Sequence, residues 1–131
     1  MKKVEVVAAI IQHQGKILCC QREQNKLQYL SEKWEFPGGK VEDGETRKEA
    51  LIREIDEELE MEISDLDYAL TVVHEYADFE LIMHTFLAST KSTEYKLHAH
   101  KSAVWSNPDR LASFDWAEAD LPIVDYIHRS V

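Results

Sequence analysis

The sequence is most informative at residues 39–61, which read GKVEDGETRKEALIREIDEELEM. Asp43, Gly44 and Thr46 are typical of a helix start, and apolar residues then recur at helical spacing. That apolar stripe consists of Ala50, Leu51, Ile55 and Leu59. The segment therefore predicts an amphipathic helix from Thr46 to about Glu60.

The charges of this helix run against its dipole. Acids stabilise the start of a helix and bases stabilise its end. Here Arg47 and Lys48 come first. The acids come late, and they are Glu54, Asp56, Glu57, Glu58, Glu60 and Glu62. Each misplaced exposed charge costs about 0.3–1 kcal/mol at low salt, so a further interaction is expected to favour this arrangement.

A carboxylate ridge is the feature that such an interaction would use. Glu54, Glu57 and Glu58 lie at positions i, i+3 and i+4 and project from one side of the helix. A divalent cation turns their repulsion into binding, and Mg²⁺ is held by a few carboxylates, waters and phosphate oxygens. An acidic face exposed to solvent is the alternative, and the helix alone leaves both interpretations open.

The spacing of the fixed residues resembles a known motif, the Nudix box G-x5-E-x7-R-E-U-x-E-E-x-G-U, where U is a bulky apolar residue. The matching residues are Gly39, Glu45, Arg53, Glu54, Ile55, Glu57, Glu58 and Met61. Residues 4–11, 15–18, 34–42 and 119–122 also resemble the MutT branch of this family, particularly its CTP and oxidised-dNTP pyrophosphohydrolases. The resemblance is weak between Leu66 and Lys101.

This resemblance implies a fold and a reaction. The fold is an α/β/α sandwich with a mixed β-sheet, in one domain spanning residues 1–131. The reaction is Mg²⁺-dependent hydrolysis of a nucleoside triphosphate at the β-phosphorus, giving the monophosphate and pyrophosphate, with Mn²⁺ as a substitute for Mg²⁺. CTP or dCTP and oxidised nucleotides of the 8-oxo-dGTP type are the expected substrates, the latter in sanitation of the nucleotide pool.

Roles for individual residues follow from the same resemblance. Glu54, Glu57 and Glu58 would bind the metal together with the backbone carbonyl of Gly39. Arg53 and Glu45 would form a pair that holds these ligands in place, an arrangement that metal sites generally need. Glycine at position 39 also lets the backbone approach the ion closely.

The expected base pocket uses residues outside the motif. Asp120 matches a position that reads the base edge, and a buried, protonated Asp both donates and accepts hydrogen bonds. A helix N-cap is its other interpretation. Arg22 is expected to contact phosphate or ribose, and Gly38 to line the pocket. Phe36 either stacks on the base or belongs to the core.

Two departures from the family pattern bear on activity. Glu60 stands where the box has glycine, so it must either adopt a strained backbone or let the helix continue. Ala99 stands where relatives often supply a further glutamate. His98 and His100 flank it and are candidate bases or ligands, although two exposed loop histidines are the favoured interpretation.

Composition limits the remaining possibilities. A formal net charge of −10 disfavours binding to a nucleic acid polymer, and no apolar run approaches the ~20 residues of a membrane helix. No signal peptide is evident, and adjacent Cys19 and Cys20 suggest reduced thiols, so a cytoplasmic protein is expected. The sequence does not decide between a monomer and a homodimer. A Nudix enzyme for another nucleoside diphosphate derivative and a non-catalytic nucleotide sensor are the alternatives.

Hydrophobic patterning predicts the other elements. Strands are expected at residues 4–11, 16–21, 68–76 and 80–89, with shorter ones at 95–98 and 104–105. Residues 34–39 are expected to form a loop or a short strand. A short helix is expected to begin at Pro108, and a last helix to run from Asp120 to about Arg129. Interspersed strands and helices favour a mixed sheet covered on both sides.

Overall fold

The central strand β1 sets the architecture of the computed structural model, which describes residues 1–130 and leaves Val131 outside. The strands are β1 (Lys3–His13), β2 (Lys16–Arg22), β3 (Trp34–Glu35), β4 (Gly38–Lys40), β5 (Ser64–Glu75), β6 (Glu80–Ser89) and β7 (His100–Ser106). The helices are α1 (Arg47–Leu59) and α2 (Leu121–Ser130), with 3₁₀ turns at Pro108–Ser113 and Glu118–Asp120. Strand β1 pairs parallel to β6, whereas the other pairings are antiparallel. The predicted α/β/α sandwich with a mixed sheet is confirmed.

Strand β1 is buried on both faces because both helices pack on it. Val7, Ala9 and Ile11 belong to the core beneath α1, whereas Ala8 and Ile10 belong to the core beneath α2. The two cysteines of β2 divide in the same way and are both free and buried, as predicted. Adjacent strand residues point to opposite faces, so their thiols do not meet.

The segment that leads to the site lies in a gap between β1 and β2. These two strands pair only near their hairpin, at Gln12–Ile17 and His13–Lys16. Farther along, β3 pairs with β2 and β4 pairs with β1, so residues 34–40 fill the opening between the two strands. The Ala9 N–H donates to the Pro37 carbonyl at 2.9 Å and fixes the crossing point.

Helix α1 begins and ends at well-defined residues. Thr46 and Glu49 form a reciprocal capping box at its start. Its C-cap is Glu60 in the left-handed conformation, with φ 52° and ψ 44°. The helix therefore stops where the family motif has glycine, and Glu60 adopts the strained backbone rather than extending the helix.

Most predicted elements are present, with one error. Strand β5 begins at Ser64, before the predicted Tyr68, and β7 is longer than the predicted residues 104–105. The strand predicted at residues 95–98 is wrong. The N–H groups of Lys96 and His98 donate instead to the last carbonyls of α1, those of Leu59 and Glu58, at 2.9 and 3.0 Å. Within residues 1–130, no helix is long and apolar enough to cross a membrane.

Candidate active site

Arg53 organises the acidic ridge of α1. Its Nε donates to Glu45 Oε2 at 2.6 Å, and its Nη1 donates to Glu54 Oε1 at 3.0 Å and to Glu57 Oε1 at 3.2 Å. Its Nη2 donates to the carbonyl of Lys40, the last residue of β4, at 3.1 Å. One guanidinium therefore joins the helix, strand β4 and the loop between them. The hydrogen bond from Arg53 lowers the pKa of Glu45, which keeps this carboxylate ionised as its partner.

Glu54 and Glu58 form a half-buried acid pair beside β4. Their side chains are 16% and 15% exposed. Burial, followed by the adjacent carboxylate of Glu54, raises the pKa of Glu58 to about 9. Gly39 lies against this pair, and a Cβ placed there would overlap the Glu54 carboxylate. Glycine at position 39 therefore lets the backbone lie closer to the Glu54 carboxylate than any residue with a side chain would allow.

The donors at this site suit a hard divalent cation. As the side chains lie, no group of three or more His, Cys, Asp or Glu within residues 1–130 converges on one point. Glu57 bonds to Arg53 and is 58% exposed, so it stands apart from the Glu54–Glu58 pair. Glu58 Oε1, however, is buried without a hydrogen-bond partner. An unpartnered buried oxygen beside a second carboxyl is costly unless a cation is shared, so these residues fit Mg²⁺.

His100 closes the site from the opposite side. Its Nε2 lies 2.9 Å from Glu35 Oε2, and the other oxygen of Glu35 accepts from Arg22 Nη1 at 2.9 Å. Burial alone would raise the pKa of Glu35, but the His100 hydrogen bond and the charge of Arg22 outweigh it, and the pKa is lowered. His100 Nδ1 lies 4.0 Å from Glu58 Oε1. Arg22 therefore reaches the site through Glu35.

The two histidines that flank Ala99 differ in environment. The side chain of His98 is half-exposed and pairs with Glu60 at the end of α1. The expectation of an exposed loop histidine was wrong for His100, whose side chain is only 3% exposed. The reason is tertiary, because the capping of α1 by residues 96 and 98 draws the start of β7 against Glu58. Sequence reasoning assigned no role to Glu35, since its position opposite β2 depends on sheet pairing.

A separate cavity of about 260 Å³ lies beside the acid pair, and Asp120 is part of its lining. Most of the lining is apolar and comes from β1, from β6 and from the turn that precedes β6. Gly38, Gly39 and Arg22 border the cavity. Asp120 Oδ2 accepts from the Phe36 N–H at 2.9 Å, rather than from the start of α2 as an N-cap would. Burial, and then the charge of Glu35, raises the pKa of Asp120 well above its ordinary value.

Phe36, the other residue expected to contact the base, lies in the core. Phe36 is 3% exposed and stacks on Trp116, with 4.7 Å between the ring centroids. It also borders the Asp120 cavity, so a small part of the residue faces that space. The structure thus brings Arg22, Phe36, Gly38 and Asp120 around one cavity, adjacent to the carboxylate ridge.

Comparison with known proteins agrees with this geometry. The NUDIX domain family model matches residues 6–126. The CTP pyrophosphohydrolase of Escherichia coli K12 is 36% identical over 125 residues, covering 95% of this chain and 91% of the relative. The 8-oxo-dGTP diphosphatase of Proteus vulgaris is 33% identical over 96 residues, covering 72% of this chain and 80% of that protein.

Solved structures show the same similarity. The solution structure of the E. coli ORF135 protein superposes with a TM-score of 0.81 at 34% identity, covering 98% of this chain and 91% of that one. The crystal structure of a MutT protein from Methanosarcina mazei Go1 gives a TM-score of 0.80 at 26% identity, with 98% and 92% of the two chains covered. With its motif, its carboxylate ridge and these relatives, the chain belongs to the Nudix family and is a hydrolase of the MutT type.

Proposed function

We propose that this protein is a Mg²⁺-dependent nucleoside triphosphate pyrophosphohydrolase. It converts a nucleoside or deoxynucleoside triphosphate and water into the monophosphate and pyrophosphate. CTP and dCTP are the first expected substrates, and oxidised nucleotides of the 8-oxo-dGTP type are the second. The names of the relatives from E. coli and P. vulgaris support both substrate classes.

The observation that carries the proposal is the connection between the two halves of the site. Residues 36–39 touch both of them, because the Phe36 N–H bonds to Asp120 and Gly39 lies against Glu54. A single short segment therefore separates the cavity from the carboxylates. A nucleotide whose base enters the cavity would extend its phosphates over β4 toward the ridge, where charge neutralisation is available.

Each residue has a role that follows from its contacts. Glu54, Glu57, Glu58 and the carbonyl of Gly39 would hold the divalent ions. When bound, such ions neutralise phosphate oxygens and lower the pKa of water to make a nucleophile. Arg53 keeps the ridge ordered through its bonds to Glu45, Glu54 and Glu57. Phosphoryl transfer depends mostly on positioning and electrostatics, so this ordering matters as much as the ligands themselves.

Asp120 supports recognition of the base. A raised pKa leaves its carboxyl group neutral over a range of pH in which an exposed Asp is ionised. Its Oδ2 already accepts from Phe36, which leaves the other oxygen to bind the ligand. A neutral carboxyl group donates or accepts there, which suits the amino and ring nitrogen edge of cytosine and also the altered edge of 8-oxoguanine.

The test is pyrophosphate release from a panel of nucleotides with Mg²⁺. The panel pairs CTP with UTP and 8-oxo-dGTP with dGTP, and ADP-ribose represents the other Nudix substrates. We expect kcat/KM for CTP to exceed that for UTP by at least about tenfold, since one well-placed base contact contributes 1–3 kcal/mol of discrimination. Binding of nucleotides without turnover would contradict the proposal and indicate a sensor.

A further inference from the structure

The imidazole of His100 has one nitrogen committed and one free. Its Nε2 lies 2.9 Å from Glu35 Oε2, and Arg22 Nη1 donates to the other oxygen of Glu35 at 2.9 Å, so this carboxylate acts as an acceptor on both sides. Nε2 must therefore donate, so it carries the ring proton of the neutral side chain. Nδ1 is then left with a lone pair that points away from Glu35.

That lone pair faces an equally unsatisfied oxygen. His100 Nδ1 and Glu58 Oε1 are 4.0 Å apart, and within residues 1–130 neither atom has a hydrogen-bond partner. The His100 side chain is buried at 3% exposure, and that of Glu58 is half-buried at 15%. Two polar atoms that face each other out of contact with water, with no hydrogen bond to either, are costly, and a shared cation removes that cost.

The separation matches one metal ion. Bonds from a divalent ion such as Zn²⁺ to imidazole nitrogen and carboxylate oxygen are each roughly 2.0–2.2 Å, so one ion bound to both atoms at a wide angle spans the observed gap. We propose that His100 Nδ1 is a metal ligand that shares a divalent ion with Glu58. The inference rests on the proposed function, because Glu58 belongs to the same carboxylate site.

The surroundings of His100 agree with this role. Histidine ligands almost always donate their other N–H to a carboxylate, which fixes the tautomer and the ring orientation. Glu35 is that carboxylate here, and Arg22 holds its second oxygen at 2.9 Å. Glu35 and Arg22 are therefore positioning residues for His100.

A nitrogen ligand changes which metal the site prefers. An all-oxygen site suits Mg²⁺, whereas imidazole suits the later first-row metals, for which affinity rises from Mn²⁺ through Co²⁺. We therefore expect this protein to bind Mn²⁺ and Co²⁺ in preference to Mg²⁺, and that preference to become weaker when His100 is replaced, although carboxylates by themselves also accept Mn²⁺.

The direct test is pulsed EPR of Mn²⁺ bound to the full chain, which detects nitrogen coordinated to the ion. Wild-type protein should show the ¹⁴N echo modulation of a bound imidazole, and labelling histidine with ¹⁵N should shift its frequencies. His100→Gln should abolish the modulation. His98→Gln removes the exposed neighbour and is the matched control, in which the modulation should persist.

Metal titration by calorimetry gives a second measurement. His100→Gln should weaken Mn²⁺ binding by at least about tenfold and leave Mg²⁺ binding within about threefold. Glu35→Gln should weaken Mn²⁺ binding by roughly tenfold, since outer partners of metal ligands typically contribute 10–100-fold.

Two results would overturn the inference. One is a wild-type spectrum in which Mn²⁺ is bound but shows no nitrogen modulation, the result expected if a water molecule rather than the ion lies between His100 and Glu58. The other is equal loss of Mg²⁺ and Mn²⁺ affinity in His100→Gln. The wild-type spectrum decides the question even if that variant does not fold. Pyrophosphate release with Mg²⁺, measured in parallel, distinguishes failure of this inference from failure of the proposed function.

Discussion

Two regions meet at the site, and they differ in how their residues come together. The box segment, residues 39–61, carries its ligands on consecutive helical turns and one adjoining strand, so local spacing specifies them. The facing residues are Glu35, His100 and Asp120, which strand pairing and helix capping bring in from distant parts of the chain. In the proposed mechanism the box segment supplies charge, and the facing residues supply orientation and selectivity.

The largest effect is expected inside the box segment. Glu58→Gln should lower kcat by about 10²–10³-fold, since it replaces a carboxyl group that would hold the ions neutralising charge in the transition state. Asp56→Asn is the matched control, because Asp56 is an exposed acid on the same helix. Pyrophosphate release measures both variants, and circular dichroism checks their fold. Comparable losses in the two variants would mean that overall helix charge, rather than the ridge, determines activity.

Substitutions at Gly38 and Gly39 test the space around the backbone of β4 rather than the charge of the site. Gly38→Ala places a Cβ 2.8 Å from the Ala8 Cα and in overlap with the Val7 carbonyl oxygen, which are backbone atoms that cannot move aside. We expect it to lower the free energy of unfolding by about 1–3 kcal/mol, as overpacking does.

Gly39→Ala should behave differently, because the atoms nearest to its Cβ belong to the Glu54 side chain, which can rotate. Stability should change little while kcat falls, since a displaced Glu54 leaves the ridge. Urea denaturation and pyrophosphate release separate the two effects. Equal destabilisation by both substitutions would show that Gly39 serves packing and not the ligand.

Substitution of Asp120 tests whether the facing residues determine substrate recognition. Asp120→Ala should lower kcat/KM for the preferred nucleotide by about 10–100-fold, the value of a buried hydrogen-bonding edge. Asp120→Asn should retain most of the activity, because an amide donates and accepts as a neutral carboxyl group does. If the Asn variant were as impaired as the Ala variant, the carboxyl group would be acting in its ionised form.

The same residue should make stability depend on pH. Its pKa is raised in the folded state, so the native protein keeps a proton that the unfolded chain has released. The free energy of unfolding therefore falls as pH rises above about 4, by at most about 1.4 kcal/mol per pH unit. Asp120→Asn lacks this loss, so its stability relative to wild type should increase with pH.

Urea denaturation in EDTA between pH 5 and 8 measures this difference. Asp125→Asn, at an exposed carboxyl of α2, is the matched control and should follow the wild-type profile. A constant difference between Asp120→Asn and wild type across this range would show that Asp120 is ionised in the native protein.

Prediction from sequence was successful where periodicity and motif spacing carry the information. The helix at residues 46–60 and the long strands are present because burial patterns of period 3.6 and 2 are local. His100 and Glu35 were misjudged or missed, since their contacts depend on β7 pairing with β2 and on the capping of α1. No local pattern distinguishes His100 from the exposed His98 two residues earlier.

The smallest effect concerns the residue where the two regions touch. Glu60 ends α1 with φ 52° and pairs with His98. Glu60→Gly removes the left-handed strain and should raise the free energy of unfolding by about 0.5–1 kcal/mol, because an exposed ion pair contributes little. Glu62→Gly is the control, since residue 62 has no positive φ and should only lose stability. A less stable Glu60→Gly would mean that the pair with His98, and not the capping of α1 by backbone N–H groups, holds the start of β7 against the ridge.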